Sequence, residues 1–235
     1  MAPATLFLIP VPLADGTSDQ TIPTYNTTII NTIKTYIVEN EKTARKWLKE
    51  MGLKTPQSEL KILTYGKHSD KSDLSAYIKP LLAGENVGLM SEAGCPGVAD
   101  PGSEIVELAH KNSIKVTPLV GPSSILLALM ASGFNGQSFT FHGYLPIDKG
   151  QRSKRLKELE NLSLKFNQTQ IFIETPFRNN QLLEEILKSC NSKTRLCIAC
   201  NITAADEQIF TLTVEEWKKR KVDLHKKPAI FLLFK

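Results

Sequence analysis

The chain has 235 residues, 41% of them hydrophobic and 23% charged, with a formal net charge of +5. That balance describes an ordinary globular protein with room for one large domain or two small ones, and it excludes a disordered polymer. No apolar run reaches the roughly 18 to 20 residues that cross a bilayer, and Met1 to Val11 carries neither a basic leader nor a small-residue cleavage site, so a cytoplasmic protein without membrane association is expected.

Leu6 to Ile9 is a short apolar run stopped by Pro10 and Pro12, which predicts a buried strand feeding a loop. Loop residues follow through Asp15-Gly16 and Ser18-Asp19. Thr24 to Ile37 mixes β-branched with polar residues, and Glu41 to Met51 carries strong helix formers up to Gly52, a plausible C′ residue. Helices are expected over Asp73 to Leu82, closed by Gly84, and over Gly102 to Lys111, with strands over Asn86 to Met90 and Lys115 to Val120. Ser123 or Ser124 caps an apolar helix running to Ala131. Strands alternating with helices imply parallel βαβ units and the α/β class.

Ser132-Gly-Phe-Asn-Gly136 interrupts periodic segments on both sides and is read as the domain boundary. It separates an N-terminal α/β domain over residues 1–134 from a C-terminal one over residues 135–235. In the second, strands are expected over Phe139 to His142, Thr169 to Glu174, Arg195 to Asn201, Glu207 to Thr213 and Ala229 to Phe234. A basic amphipathic helix is expected over Arg152 to Leu162 and another helix over Asn179 to Lys188.

In an open α/β sheet the ligand crevice lies at the carboxyl ends of the strands, so the loops after strands are where chemistry is sought. Ser91 to Gly102 follows a strand and carries Gly94, Pro96, Gly97, Pro101 and Gly102 with Glu92 and Asp100 among them. Glycine lets main-chain groups approach a ligand, proline removes flexibility, and carboxylates can receive an amine or a ribose hydroxyl, so this is read as a ligand loop. Pro10 to Gly16 has similar chemistry but also fits an ordinary turn. Val120 to Ser124 fits a helix cap, and Glu174 to Arg178 fits an ion pair.

The remaining signals are weaker. Lys149, Arg152, Lys154, Arg155 and Lys157 form one basic group and Lys218, Lys219, Arg220 and Lys221 another, compatible with RNA or with a solvated surface. Cys95, Cys190, Cys197 and Cys200 do not make a disulfide framework, and Cys197-Ile-Ala-Cys200 lacks the second pair or histidine that zinc requires. Nucleotide phosphate-loop and dinucleotide glycine fingerprints are missing. His68-Ser69-Asp70 contains triad residue types, yet adjacency is not triad geometry.

Taken in order, the loops resemble those of the tetrapyrrole (corrin/porphyrin) methylase family, most closely its ribosomal RNA small subunit methyltransferase I branch. Ser91-Glu-Ala-Gly-Cys-Pro-Gly-Val-Ala-Asp-Pro-Gly102 resembles the branch's S-D-A-G-T-P-x-x-x-D-P-G. Val116-Thr-Pro-Leu-Val-Gly-Pro-Ser-Ser124 resembles V-x-P-L-P-G-P-x-A, and Phe141-His-Gly-Tyr-Leu-Pro146 with Lys149-Gly-Gln-Arg152 resembles G-F-L-P and K-G-R-R. The resemblance implies two α/β/α domains with mixed, mainly parallel sheets, an S-adenosylmethionine site in the interdomain cleft, and a homodimer. It assigns donor binding to Pro12, Leu13, Ser91, Ala93, Gly94, Val98, Ser123 and Ser124, and to Leu145, Thr175, Asn201, Ile202, Pro228 and Ala229 of the second domain.

The reaction implied is displacement of a methyl group from a sulfonium, for which alignment matters most and no metal is required. If the acceptor is a ribose 2′-hydroxyl of small-subunit ribosomal RNA, a group must help remove its proton. Glu174 and Glu92 are the candidates, with Arg178 placed to hold a phosphate. The sequence departs from the branch at charged positions. Its E-D-T-R reads Glu39-Asn-Glu-Lys42, its Y-E-S-x-H-R reads Ile173-Glu-Thr-Pro-Phe-Arg178, its A-R-E-L-T-K reads Ala199-Cys-Asn-Ile-Thr-Ala204, and its terminal G-E reads Lys227-Pro228. A small-molecule (tetrapyrrole-type) methyltransferase, or a non-catalytic relative that binds donor or RNA, is the alternative expectation.

Overall fold

The computed structural model describes residues 4–66 and 74–235. The His68-Ser69-Asp70 group and Asp73, expected to open a helix, lie outside the described residues. The chain divides into two compact units, Met1–Ser123 and Ser124–Lys235.

The first unit is built on one parallel sheet. Its strands are β1 (Thr5–Ile9), β2 (Thr35–Val38), β3 (Lys61–Thr64), β4 (Val87–Met90) and β5 (Lys115–Pro118), in the order β3-β2-β4-β1-β5. β2 and β4 are buried at every position, as expected of strands covered on both faces. The alternation of side chains along each strand divides the core into two layers. On one face lie α1 (Ser18–Thr21), α2 (Thr24–Ile30) and α3 (Glu41–Glu50). There Ile30, Trp47 and Leu48 pack beneath Ile9, Tyr36, Val38 and Met90. On the other, α4 (Ser75–Leu82) and α5 (Ser103–Lys111) pack Ile78, Leu81, Ile105 and Ala109 against Leu6, Ile37, Val87 and Leu89.

Local chemistry explains the helix ends. Asn40 caps α3 by accepting the N–H of Thr43, and the helix closes at Gly52, whose φ is +84°, with Leu53 N–H returning to Leu48 O. Two strands were not expected. β2 follows α2 within a single stretch of β-branched and polar residues, where a sequence window cannot separate helix from strand. β3 is only half-buried at its centre and exposed at both ends, so it carries almost no alternation signal.

The second unit opens with α6 (Ser124–Ser132), then β6 (Phe139–Tyr144), α7 (Lys149–Phe166), β7 (Thr169–Ile173), α8 (Asn179–Ser189), β8 (Arg195–Cys200), β9 (Gln208–Thr213), α9 (Val214–Lys219) and β10 (Ala229–Phe234). The sheet order is β6-β7-β10-β8-β9. Only β6 and β7 pair in parallel; the other neighbours are antiparallel. Leu156 and Leu159 of α7, Leu182 and Ile186 of α8 and Trp217 of α9 share a core with Phe172, Leu196, Ile198, Phe231 and Leu233.

Helix α6 corrects the expected boundary. The sequence pattern places it in the first domain, with the break at residue 134, whereas in the structure it packs on β8, β9 and β10, and its Ser132 carbonyl accepts the Thr211 hydroxyl at 2.8 Å. Its apolar residues Ile125, Ala128 and Leu129 are buried. The glycine-bearing loop after α6 is therefore a turn within a unit. Helix α7 also begins earlier than expected, at Lys149, capped by the Asp148 side chain on Gln151 N–H.

His142 on β6 gives the second unit a pH dependence. Its Nε2 lies 2.7 Å from Gln170 Oε1 and its Nδ1 3.2 Å from Arg155 Nη2. Because a guanidinium can only donate, Nδ1 must accept, which fixes the neutral Nε2–H tautomer. Burial, with help from the Arg155 charge, pushes the imidazole below its ordinary value, against the opposing pull of Gln170. A lowered folded-state value means the unfolded chain takes up the proton first, so stability is full above about pH 6.5 and falls as the pH drops through the folded value. The melting temperature is expected to decline on acidification, and His142→Gln should flatten that decline when the two are scanned side by side. Among the described residues no helix is long and apolar enough to cross a membrane.

Candidate functional site

All five strands of the first sheet are parallel, so their carboxyl ends lie on one edge. The chain leaves β1 towards the α2–α3 face and leaves β4 towards the α5 face, although β1 and β4 are neighbours. Such a divergence between adjacent strands opens the crevice in which α/β proteins bind ligands.

Two loops are stapled together at that point. Val11 N–H donates to Gly94 O at 2.9 Å, and Gly94 N–H returns to Val11 O at 3.1 Å, a two-way bridge between the β1 and β4 loops. The β5 loop joins them. The Cys95 thiol lies 3.4 Å from Pro122 O, and Gly121 sits so close to Pro10 that a Cβ there would fall 2.4 Å from both Cβ and Cγ of the ring. Gly94 favours glycine through its φ of +72°, and its Cβ position lies 3.2 Å from Leu13 Cδ2, a tight contact that the leucine would have to relieve. Ser91, buried, directs its hydroxyl to the carbonyls of Ala93 and Gly94, both at 3.3 Å.

Pro12, Leu13, Ser91, Ala93, Gly94, Val98 and Ser123 all lie on these three loops. Pro12, Ser91 and Gly94 are buried, Leu13 and Ser123 half-buried, and Ala93 and Val98 exposed. Ser124 instead opens α6 in the second unit. Glu92 presents an exposed side chain, and its carbonyl accepts Trp47 Nε1 at 3.2 Å. Trp47 is one of three contributors that sequence reasoning missed. Another is Asn26, whose amide donates to Val120 O at 2.9 Å, and the third is Gly121. Their partners lie 45 to 111 positions away in the chain, and no local pattern marks them.

The second unit gathers its candidates at one end of its own sheet. Leu145, Thr175 and Asn201 follow the carboxyl ends of β6, β7 and β8, and Pro228-Ala229 enters β10, which runs antiparallel to β7 and β8. Asn201 N–H bonds Pro228 O at 3.0 Å and Lys226 N–H bonds Pro176 O at 3.0 Å. Asn201 and Thr203 have φ of +50° and +71°. The second is unusual for a β-branched residue, since that conformation crowds its Cβ. Leu145, Ile202 and Ala229 are buried, Leu145 and Ala229 within the unit's own core. Those two offer main-chain groups rather than free side chains.

Glu174 and Arg178 meet each other. The carboxylate, only 1% exposed as a side chain, accepts Thr175 N–H at 2.6 Å and Arg178 Nη2 at 2.7 Å. That bond, before any other influence, pushes the guanidinium further up from its already high value. Glu174 therefore closes the turn between β7 and α8 and holds Arg178 at the start of α8, whereas the sequence suggested it as a base. A carboxylate that accepts two donors holds both of them in place, which suits a positioner.

All four cysteines are free thiols. Cys200 lies in the helix-covered core, and Cys197, three positions earlier on the same strand, points to the opposite face. Their C-x-x-C spacing is thus a strand artefact. Among the described residues no group of three His, Cys, Asp or Glu side chains is placed to hold a metal ion.

Comparison with known proteins agrees with this architecture. The family model described as Tetrapyrrole (Corrin/Porphyrin) Methylases matches residues 30–218. The chain is 28% identical over 211 residues to a Vibrio cholerae protein named ribosomal RNA small subunit methyltransferase I, covering 90% of this chain and 69% of that protein. A Halalkalibacterium halodurans protein of the same name is 30% identical over 212 residues, again 90% and 69% of the two chains. The crystal structure of the methyltransferase CobJ shares the fold, with a TM-score of 0.63 and 16% identity, covering 98% of this chain and 93% of that one. The chain accordingly belongs to the tetrapyrrole (corrin/porphyrin) methylase family and, with it, to the S-adenosylmethionine-dependent methyltransferases.

Proposed function

We propose that the protein transfers the methyl group of S-adenosylmethionine to a ribose 2′-hydroxyl of small-subunit ribosomal RNA, acting as a homodimer. The observation that carries this reading is the stapling of the β1, β4 and β5 loops in a chain that matches relatives named for ribosomal RNA methylation across 90% of its length.

The donor supplies an electrophilic methyl carbon on a sulfonium, and the protein's task is to align it. Main-chain groups of the Ser91 to Gly102 loop approach the donor where Gly94 leaves room, with Pro12 and Leu13 on the facing loop and Ser123 on the third. Donor contacts from Ser124, Leu145, Thr175, Asn201, Ile202, Pro228 and Ala229 belong to the same proposal. Arg178, held by Glu174, offers its outer guanidinium face to an acceptor phosphate. Glu92, exposed on the donor loop, is the remaining carboxylate for the acceptor proton.

The test is incubation of the purified protein with methyl-labelled donor and ribosomal RNA from a strain lacking it, followed by nuclease digestion. Label in a 2′-O-methylated nucleoside of the small-subunit RNA is the expected result. Donor binding by calorimetry with no label in any RNA would reject the RNA acceptor while leaving the methyltransferase assignment standing.

A further inference from the structure

Arg152 is a buried charge without a counter-charge among the described residues. It is 6% exposed, yet none of the described carboxylates lies within ion-pairing distance. Its Nε is buried with no hydrogen-bond partner, and Nη1 has a single contact, Ile147 O at 3.4 Å, the outer limit of a hydrogen bond. The acids on its own helix are engaged elsewhere. Glu160 accepts Asn191 N–H and the Thr194 hydroxyl, Glu158 pairs with Arg155, and Asp148 accepts Gln151 N–H through Oδ1.

The position compounds the problem. Arg152 sits in the first turn of α7, an 18-residue helix, where the aligned peptide dipoles already favour negative charge. The Asp148 cap offsets part of that field. Even so, a guanidinium withdrawn from water beside a helix N-terminus is unfavourable unless an anion shares the site. The adjacent strand end supplies a contrast. Arg178, at the start of α8 after β7, has its buried carboxylate 2.7 Å away, whereas Arg152, after β6, has none. The first N–H groups of α7, those of Lys149 and Gly150, precede the first intrahelical bond, and the carboxylate oxygen beside them, Asp148 Oδ1, 3.4 Å from the Cβ position of Gly150, is already committed to Gln151 N–H.

We propose that the first turn of α7, with Arg152 at its base, is a binding site for a phosphate group. The tetrahedral oxyanion is held by the Arg152 guanidinium and the N–H groups of Lys149 and Gly150, with the Lys149 and Lys154 ammoniums around it. Resting on the RNA reading above, the phosphate belongs to the backbone of the RNA acceptor. This gives the basic group from Lys149 to Lys157 a docking point.

Two measurements separate this site from a packing role and from the RNA reading. The first is the melting temperature of the whole protein against inorganic phosphate, at constant ionic strength set with chloride. Wild type should gain several degrees in phosphate. Arg152→Met should melt at or above wild type in chloride, since an apolar side chain replaces an uncompensated charge, and should gain nothing from phosphate. Arg152→Lys, which keeps the charge, should retain part of the gain. A Met variant that melts lower in chloride and keeps the phosphate gain would overturn the site, as would an absent gain in wild type.

The second is the salt dependence of affinity for small-subunit ribosomal RNA. Arg152→Met should bind about tenfold more weakly, with the slope of log affinity against log salt shallower by about 0.7 to 0.9, one phosphate contact. Loss of the phosphate gain with unchanged RNA affinity overturns the RNA source in favour of a phosphorylated small molecule. RNA that fails to bind even wild type overturns the acceptor reading, and the phosphate result then stands or falls by itself.

Discussion

Gly121→Ala is expected to weaken S-adenosylmethionine binding at least tenfold and to lower the melting temperature, because the new methyl has no room. Its position lies 2.4 Å from two carbons of the Pro10 ring. A proline ring has no rotamer to escape into, so about 1 Å of movement must come from the backbone of one loop or the other. Both loops are held. Leu119 N–H bonds Leu8 O at 2.9 Å just before Gly121, and the Val11–Gly94 bridge follows Pro10 by one residue. Overpacking of this kind costs about 1–3 kcal/mol, and each kcal/mol shifts the melting temperature by roughly 2–4 °C for a chain of this size. A displacement near 1 Å also costs roughly a hundredfold where geometry sets the rate. Gly136→Ala is the matched control, since nothing lies within 4 Å of its added Cβ and its backbone is not left-handed. Calorimetric titration of donor into both variants decides the matter, and wild-type affinity in Gly121→Ala would show that the three loops do not form the donor site.

Glu174 separates two roles that the sequence left together. As the base for the acceptor hydroxyl, its loss in any form should cost roughly 10²–10⁴ in rate. As the positioner of Arg178, it is needed for its hydrogen bonds more than for its basicity. Gln keeps an acceptor oxygen for Thr175 N–H and for Arg178 Nη2, so Glu174→Gln should keep methyl transfer to RNA within about tenfold of wild type, at the scale of one weakened charge-assisted bond. Glu174→Ala removes both bonds and leaves the guanidinium facing an emptied pocket. Arg178 remains one-third exposed, so solvent relieves part of the penalty and the stability loss should be about 1–2 kcal/mol. Transfer should nevertheless fall more than a hundredfold, because the turn from Thr175 to Arg178 loses its tie. Equal collapse of Gln and Ala, with loss of the acid limb of the pH profile, would restore Glu174 as the base.

The rest of the site shows why some residues were legible and others not. The Ser91 to Gly102 loop announced itself, because glycines and prolines after an apolar strand are needed locally whatever the fold. Likewise Gly52 and Asn40 mark helix ends by chemistry that acts within a turn. The Thr213-Val-Glu-Glu216 capping box that opens α9 is equally local, although the sequence expectations include no helix there. By contrast, the grip of Trp47 on Glu92 and of Asn26 on Val120, like the contact of Gly121 with Pro10, joins residues far apart in the chain. Their residue types are unremarkable where they stand.

Sequence by itself determined the alternation of strands and helices and the α/β class, and it singled out the Ser91 to Gly102 loop. The first two follow from short-range periodicity and the last from glycine and proline chemistry, whereas the family followed from the resemblance of several loop motifs taken together. Tertiary structure alone decided that β2 lies inside the sheet and that α6 belongs to the second unit, since burial on both faces and the choice of a packing partner are properties of distant neighbours. It also decided that Glu174 is spent on Arg178 while Arg152 meets no carboxylate among the described residues. Charge pairing depends on which side chains the fold brings within a few ångströms, and linear spacing is blind to that.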